Sequence, residues 1–387
     1  MGVYHLGRLF AKAPPPLGGS IRLGVRAVII GACLCLLNSP GVQRVEVGPK
    51  RTVQTLTPKL GVHTRLTDEV EPWKIKRTLE LVRELGSPWV VEYFPWAYSE
   101  PQPGRYDWRH SDIVIEHAVA QGLTLIARID YVPEWARPPD SSDRYLGPEH
   151  YGDYARFVAA FAQRYRDQVR HIVVWNEPNL AFEWGYRPVD PEGYVALLAQ
   201  TYRAVKAVAP ETQVLAAGLA PTMAPPGSEW GMDDVEYLRR MYAAGAADWF
   251  DALAIHAYGF TFPADDPPDA QAVNFRRAEL LREVMVVHGD AAKPCFITEA
   301  GWNDHPRWTK AVSPLERIAY TIESLDVATG WDWCQALCIW AFRYPWDQRT
   351  YQDRFTLVTP EFELKPLYTE LQRYTQGRPF EYLEGQP

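Results

Sequence analysis

The chain has 387 residues, 23% charged and 47% hydrophobic, which excludes a disordered or fibrous polypeptide and leaves room for two average domains or one large α/β barrel. Its formal charge of −8 supplies no basic surface for recognising nucleic acid. Fifteen Trp and 21 Tyr are many, and their flat faces suit stacking against sugar rings as well as core packing.

The first segment reads apart from the rest. No Asp or Glu occurs before Glu46, and Arg8, Lys12, Arg22 and Arg26 precede an apolar run at residues 27–37, AVIIGACLCLL. Eleven residues are too few to span a bilayer, which takes about 20. A positive region before a short apolar stretch instead suits a secretory signal, so residues 1–38 are expected to be a signal peptide or short anchor. The protein is then extracytoplasmic, secreted or held at the cell surface, with membrane attachment only through residues 27–37. Residues 39–57 read as a linker, 58–376 as one domain and 377–387 as a tail.

From Leu60 onward, short β-branched or aromatic runs alternate with longer amphipathic stretches. Strands are predicted at 60–66, 89–94, 123–130, 171–175, 213–218, 252–258, 294–298 and 336–342. Helical spacing marks 74–85, 151–165, 193–208, 235–243, 272–287, 315–329 and a closing helix at 366–375. Asp107-Trp108, Pro148-Glu149, Asp190-Pro191 and Ser313-Pro314 supply start signals. Eight strand–helix units predict parallel strands with helical crossovers. A doubly wound sheet is the alternative, but Gly61-Val62-His63-Thr64 after the first strand is no Gly-rich phosphate turn. The predicted fold is therefore a single (β/α)8 TIM barrel. Beyond the leader, Cys295, Cys334 and Cys338 fit neither a disulfide framework nor a metal-ligand spacing and read as core residues. No metal or other cofactor is expected.

In such a barrel, reactive groups sit at the C-terminal ends of the strands. The fourth strand runs into Trp175-Asn176-Glu177-Pro178 and the seventh into Ile297-Thr298-Glu299-Ala300. Each places a carboxylate at the same rim from strands that are not neighbours. Two such groups facing one another can divide labour as acid/base and nucleophile.

Those two stretches resemble clan A of the glycoside hydrolases, the retaining (β/α)8-barrel enzymes, in the manner of families 39 and 5. Glu100-Pro101-Gln102-Pro103-Gly104-Arg105-Tyr106-Asp107-Trp108 is similar to a stretch found after strand two in several clan members, and Pro133-Glu134-Trp135-Ala136 to a turn after strand three. The resemblance implies a hydrolase of β-linked oligo- or polysaccharides or glycosides working by double displacement. Glu177 would be acid/base, Glu299 nucleophile, Asn176 the partner of the substrate 2-hydroxyl, Tyr258 the support of Glu299 and Trp340 the platform under the reacting sugar. Many clan members carry an Arg on strand two near the nucleophile, where this chain has Glu92. Either Glu92 enters the site or Arg65 or Arg128 takes the role.

Position at or past strand ends adds His63, Trp96, Asp130, Tyr131, Trp135, Trp184, His256 and Trp302 as candidates for lining the mouth. Glu134 and Glu183 read as solvated loop acids, and residues 222–232 as a cleft wall. A carbohydrate is the expected partner. A sugar-binding pseudoenzyme on the same barrel and a transglycosylase are the competing readings.

Overall fold

The computed structural model describes residues 45–379. The expected leader at 1–38, with its apolar run at 27–37, lies outside the described residues. Eight strands, β1 (Leu60–His63), β2 (Trp89–Pro95), β3 (Thr124–Asp130), β4 (Val169–Val174), β5 (Gln213–Ala216), β6 (Ala252–Tyr258), β7 (Cys295–Gly301) and β8 (Cys334–Ile339), pair in chain order, all parallel. β8 returns to β1 through Leu60↔Leu337 and Val62↔Ile339, closing the barrel. This is the (β/α)8 fold predicted. The crossover helices are α1 (Pro72–Leu85), α2 (Arg109–Ala120), α3 (Tyr151–Arg164), α4 (Pro191–Val208), α5 (Asp234–Ala243), α6 (Ala278–Val287) and α7 (Pro314–Thr329), with α8 (Pro366–Thr375) last.

Local chemistry sets these boundaries. Pro stands at the first position of α1, α4, α7 and α8, where its missing N–H has no helical partner to lose. Asp190 accepts from the Gly193 N–H at 2.8 Å. Ser313 and Glu316 form a reciprocal capping box that starts α7. At the other end of α1, Gly86 has φ 86°, a left-handed stop that favours glycine.

Strand ends shift by two or three residues from prediction at β5, β7 and β8, and two further boundaries are corrected for a visible reason. The helix expected from 272 begins at Ala278, because Asn274 is extended and its buried amide donates to Asp266 at 2.5 Å and to the Pro267 carbonyl at 2.7 Å. The first strand stops at His63 because the chain turns at Leu66–Asp68. Glu92 holds that turn, accepting from the N–H groups of Leu66 (2.9 Å) and Thr67 (3.0 Å) and from the Thr64 hydroxyl (2.6 Å).

Two apolar layers fix the frame. Inside the barrel, Val91, Ile126, Val173, Leu215, Ala252, Ala254, Phe296, Ala336 and Cys338 fill the lumen, with Trp89 and His171 packed edge to face at 5.3 Å near its N-terminal end. Outside, residues such as Val90, Leu125, Ile172, Val214, Ile255 and Ile297 pack against the helices. Each fully buried side chain of this size contributes roughly 1.5–3 kcal/mol. With the lower lumen filled mostly by apolar side chains, the charged groups Arg128, Asp130 and Glu299 gather toward the C-terminal rim.

Candidate active site

β7 carries a bulge that decides where Glu299 points. Ile255 pairs with Ile297, but the next pair is His256 with Glu299, so Thr298 is an extra residue. Strict alternation from the lumen-facing Phe296 would send Glu299 outward; the bulge turns it in. The Glu299 side chain is 9% exposed. Arg128, on β3, donates from Nη1 to Glu299 Oε1 at 2.9 Å, and the Tyr258 hydroxyl, on β6, donates to Oε2 at 2.8 Å. His63 Nε2 stands 3.7 Å from Oε1 and His256 Nδ1 3.8 Å from Oε2.

These neighbours set its ionisation. Burial alone would raise the Glu299 pKa, but His256, His63, Arg128 and the Tyr258 hydroxyl outweigh it and hold the carboxyl down at about 2. His63 is itself driven down to about 3, chiefly by burial and then by Arg128. It is therefore neutral near pH 7, and Arg128 is the permanent positive charge beside Glu299.

The end of β4 is equally specific. Trp175 and Glu177 take left-handed φ values of 76° and 38°, an uncommon backbone for bulky residues. The Trp175 N–H reaches the Ile129 carbonyl at 3.1 Å and the Glu177 N–H the Gly218 carbonyl at 3.0 Å. The Trp175 ring is buried, its Nε1 donating to the Glu183 carbonyl at 2.9 Å. Asn176 then meets the same Arg128 nitrogen that holds Glu299, also at 2.9 Å. Asn179 exchanges two 2.9 Å bonds with the backbone of Ala220, anchoring the loop behind Glu177.

Glu177 Oε1 lies 2.7 Å from His256 Nδ1, and its side chain is 16% exposed, the more open of the two carboxyls. Burial would lower the His256 pKa, yet Glu299 and Glu177 together raise it. Gly218, just past β5, makes room for this ring, since a Cβ there would stand 2.4 Å from His256 Cδ2. An oxygen of Glu177, a nitrogen of His256 and an oxygen of Glu299 all lie within 4.8 Å of one another. Among the described residues this is the one trio close enough to share a cation, and it is equally a set that can pass protons.

The remaining candidates divide sharply. His63, Asp130 and Trp340 join the rim. Asp130 is buried, its Oδ2 3.2 Å from Arg128 Nε and 3.0 Å from Arg144 Nη1. Trp340 is half-buried beside Phe355 (5.2 Å), Tyr344 (6.0 Å) and Tyr258 (6.3 Å). Tyr131 has φ 58° and lies under the Arg144 guanidinium at 4.0 Å.

Trp96, Trp184 and Trp302 are not at the opening, a correction to their placement by strand ends. All three are fully buried. Trp96 packs on Phe157 and Trp135 and donates to Glu100 at 2.5 Å, while Trp302 donates to the Phe262 carbonyl at 2.7 Å. Trp135 is half-buried, its Nε1 on the Glu100 carbonyl at 2.9 Å. The stretch Glu100–Trp108 is thus a structural staple, for buried Glu100 also takes the Gly104 N–H at 2.6 Å. Residues 222–232 are tied to the loop behind Glu177 by the Leu180↔Gly231 bridge and a 2.9 Å bond from the Ala181 N–H to the Trp230 carbonyl.

The question left open at strand two resolves onto Arg128. Arg65 is engaged with Asp68, and Glu92 with the β1 turn. Glu134 is exposed as expected, but Glu183 is buried, 2.9 Å from Arg144. Arg144 was missed altogether. It lies 14 residues past β3 in a long loop, and no strand-end signal marks it.

No family model and no curated protein sequence matches the chain. Solved structures do. A family 39 glycoside hydrolase from the gut symbiont Bacteroides cellulosilyticus is 21% identical with TM-score 0.64, over 82% of this chain and 63% of that one. This chain therefore spans less than two thirds of that enzyme's length. A family 5, subfamily 18 enzyme from Streptomyces cattleya, solved with GlcNAc, is 14% identical with TM-score 0.63, over 86% and 82% of the two chains. An exo-β-1,4-mannosidase from an Opitutaceae bacterium is 17% identical with TM-score 0.57, over 86% and 62%. The chain has the (β/α)8 barrel fold that these glycoside hydrolases share.

Proposed function

We propose that the protein is a retaining glycoside hydrolase acting on β-linked sugars, with Glu299 as nucleophile and Glu177 as acid/base. The observation that carries this reading is the facing pair of carboxyls with oxygens within 4.8 Å. Retention needs carboxyls about 5–5.5 Å apart, whereas inversion needs a wider gap for water. The asymmetry of the pair supports the roles. Arg128 and Tyr258 keep Glu299 ionised, as a nucleophile must be, while Glu177 is the more exposed of the two.

In the first step the Glu177 carboxylic acid gives its proton to the glycosidic oxygen as a Glu299 oxygen bonds to the anomeric carbon. The bond from that carbon to the leaving oxygen breaks, leaving a glycosyl ester on Glu299. In the second step Glu177, now a carboxylate, takes a proton from water as the water oxygen attacks the anomeric carbon and Glu299 departs. Asn176, aligned by Arg128, would meet the 2-hydroxyl, and Trp340 would underlie the ring. The neighbours' activities make β-pyranosides the class to screen first, and the basic leader with its apolar run supports export. A panel of aryl β-glycosides tests the reading, with proton NMR of the first anomer released. Hydrolysis with retained configuration is expected; release of the inverted anomer would refute the mechanism.

A further inference from the structure

Five side chains of alternating charge, all buried except the half-buried Arg144, run from Glu299 to Glu183. Arg128 Nη1 donates to Glu299 Oε1 and to Asn176 Oδ1, each at 2.9 Å, while its Nε lies 3.2 Å from Asp130 Oδ2. That oxygen also takes Arg144 Nη1 at 3.0 Å, and the same nitrogen lies 2.9 Å from Glu183 Oε2. Glu183 stands six residues past Glu177 on the loop leaving β4, so the chain begins at one carboxyl and ends beside the strand of the other.

Two of its contacts hold by charge. Glu183 Oε2 and Arg128 Nε make no directed hydrogen bond, so their neighbours act on them as ions in a site screened from water. Arg128 is therefore pulled from two sides, by Glu299 and Asn176 at one end and by Asp130 at the other. Arg144 sets how strongly Asp130 pulls, and Glu183 sets how fully Arg144 is committed to Asp130.

We propose that Arg144 and Glu183 are positioning residues for the reaction: they balance Asp130 so that the Arg128 guanidinium stays in register with Glu299 and Asn176. This rests on the glycosidase reading above. Removing Arg144 leaves Asp130 with one counter-charge and draws Arg128 away from Glu299. Removing the Glu183 charge lets Arg144 move fully onto Asp130, which loosens Arg128 in the opposite sense. Burial pushes the Glu183 carboxyl up to about 7 against the opposing pull of Arg144, with Glu177 and Asp130 raising it further and Arg128 lowering it. These four groups face it, and the chain is fully charged only above that pH.

The test uses the full-length protein and four variants of two residues' worth of charge: Glu183→Gln, Arg144→Met, Arg144→Lys and the double change Glu183→Gln/Arg144→Met. A dinitrophenyl β-glycoside is the substrate, since its leaving group needs no proton from Glu177. For Arg144→Met, kcat should fall about 10²-fold with KM near wild type, the loss expected from misplacing a reacting group by about 1 Å. Arg144→Lys should recover most of it, because a single nitrogen makes both ion contacts. Glu183→Gln, which keeps the shape and tests the idea should Arg144→Met not fold, should cost roughly tenfold above pH 7 and converge on wild type below it. The double variant should cost no more than Arg144→Met alone, as expected of residues acting through one chain. Crystal structures should show Arg128 displaced from Glu299 toward Asp130 in Arg144→Met and displaced from Asp130 in Glu183→Gln. Unchanged kcat together with an unmoved Arg128 would overturn the proposal. If the wild-type protein cleaves no glycoside, the glycosidase reading fails, and the position of Arg128 in the variant crystals alone decides the positioning role.

Discussion

Gly218→Ala perturbs the site without touching a charged group. A Cβ at this position would stand 2.4 Å from His256 Cδ2 and 2.5 Å from Nε2, about 1 Å inside the 3.4 Å where ordinary contact begins. The ring is buried, so relief must come from its displacement, and the 2.7 Å bond from His256 to Glu177 is the first contact stretched. Hydrogen bonds to charged groups contribute about 1.5–3 kcal/mol, which corresponds to roughly 10- to 150-fold in rate if the loss falls on the transition state. Overpacking should also cost about 1–3 kcal/mol of stability. The assay is kcat/KM on an aryl β-glycoside across pH, with thermal unfolding alongside. A variant that keeps wild-type kcat/KM and the wild-type pH profile would refute the argument that Gly218 exists to seat His256 against Glu177.

Three further predictions address separate parts of the molecule. Glu299 has a lowered pKa, so activity that needs it ionised is present above about pH 2 and lost as pH falls through that value; Tyr258→Phe removes one of the groups holding it down, and the acid limb of the kcat/KM profile should move to higher pH. Glu100→Ala leaves the buried indole N–H of Trp96 without its acceptor and also removes the acceptor of the exposed Gly104 N–H, at about 1–3 kcal/mol for the buried donor, so the melting temperature should drop by several degrees. Ser313→Ala removes one half of the α7 capping box and should cost about 1 kcal/mol in denaturant unfolding, with activity unchanged.

Much of the barrel is legible in the sequence because its strands are buried on both faces and read as continuous apolar runs, such as residues 125–127 and 252–255 before Arg128 and His256 interrupt them. The two glutamates stand out for the same reason, each a charge at the end of such a run. Which way a strand-end side chain faces is not legible. Trp302 follows β7 more closely than Glu177 follows β4, yet the backbone turns it into the helix layer, where Gly259 lies against its ring. The Thr298 bulge and the left-handed Glu177 are backbone events with no residue signature of their own. Arg144 and Glu183 escape for another reason. Their importance comes from contacts between loops after β3 and β4, which strand-by-strand reading treats one at a time.

The most direct measurement traps the reaction on the enzyme. Incubation with activated 2-deoxy-2-fluoro-β-glycosides, followed by peptide mass spectrometry, should find one sugar esterified to the peptide spanning Cys295–Gly301, at Glu299, and none in Glu299→Gln. A sugar carried by any other residue, or turnover by Glu299→Gln at the wild-type rate, would contradict the assignment.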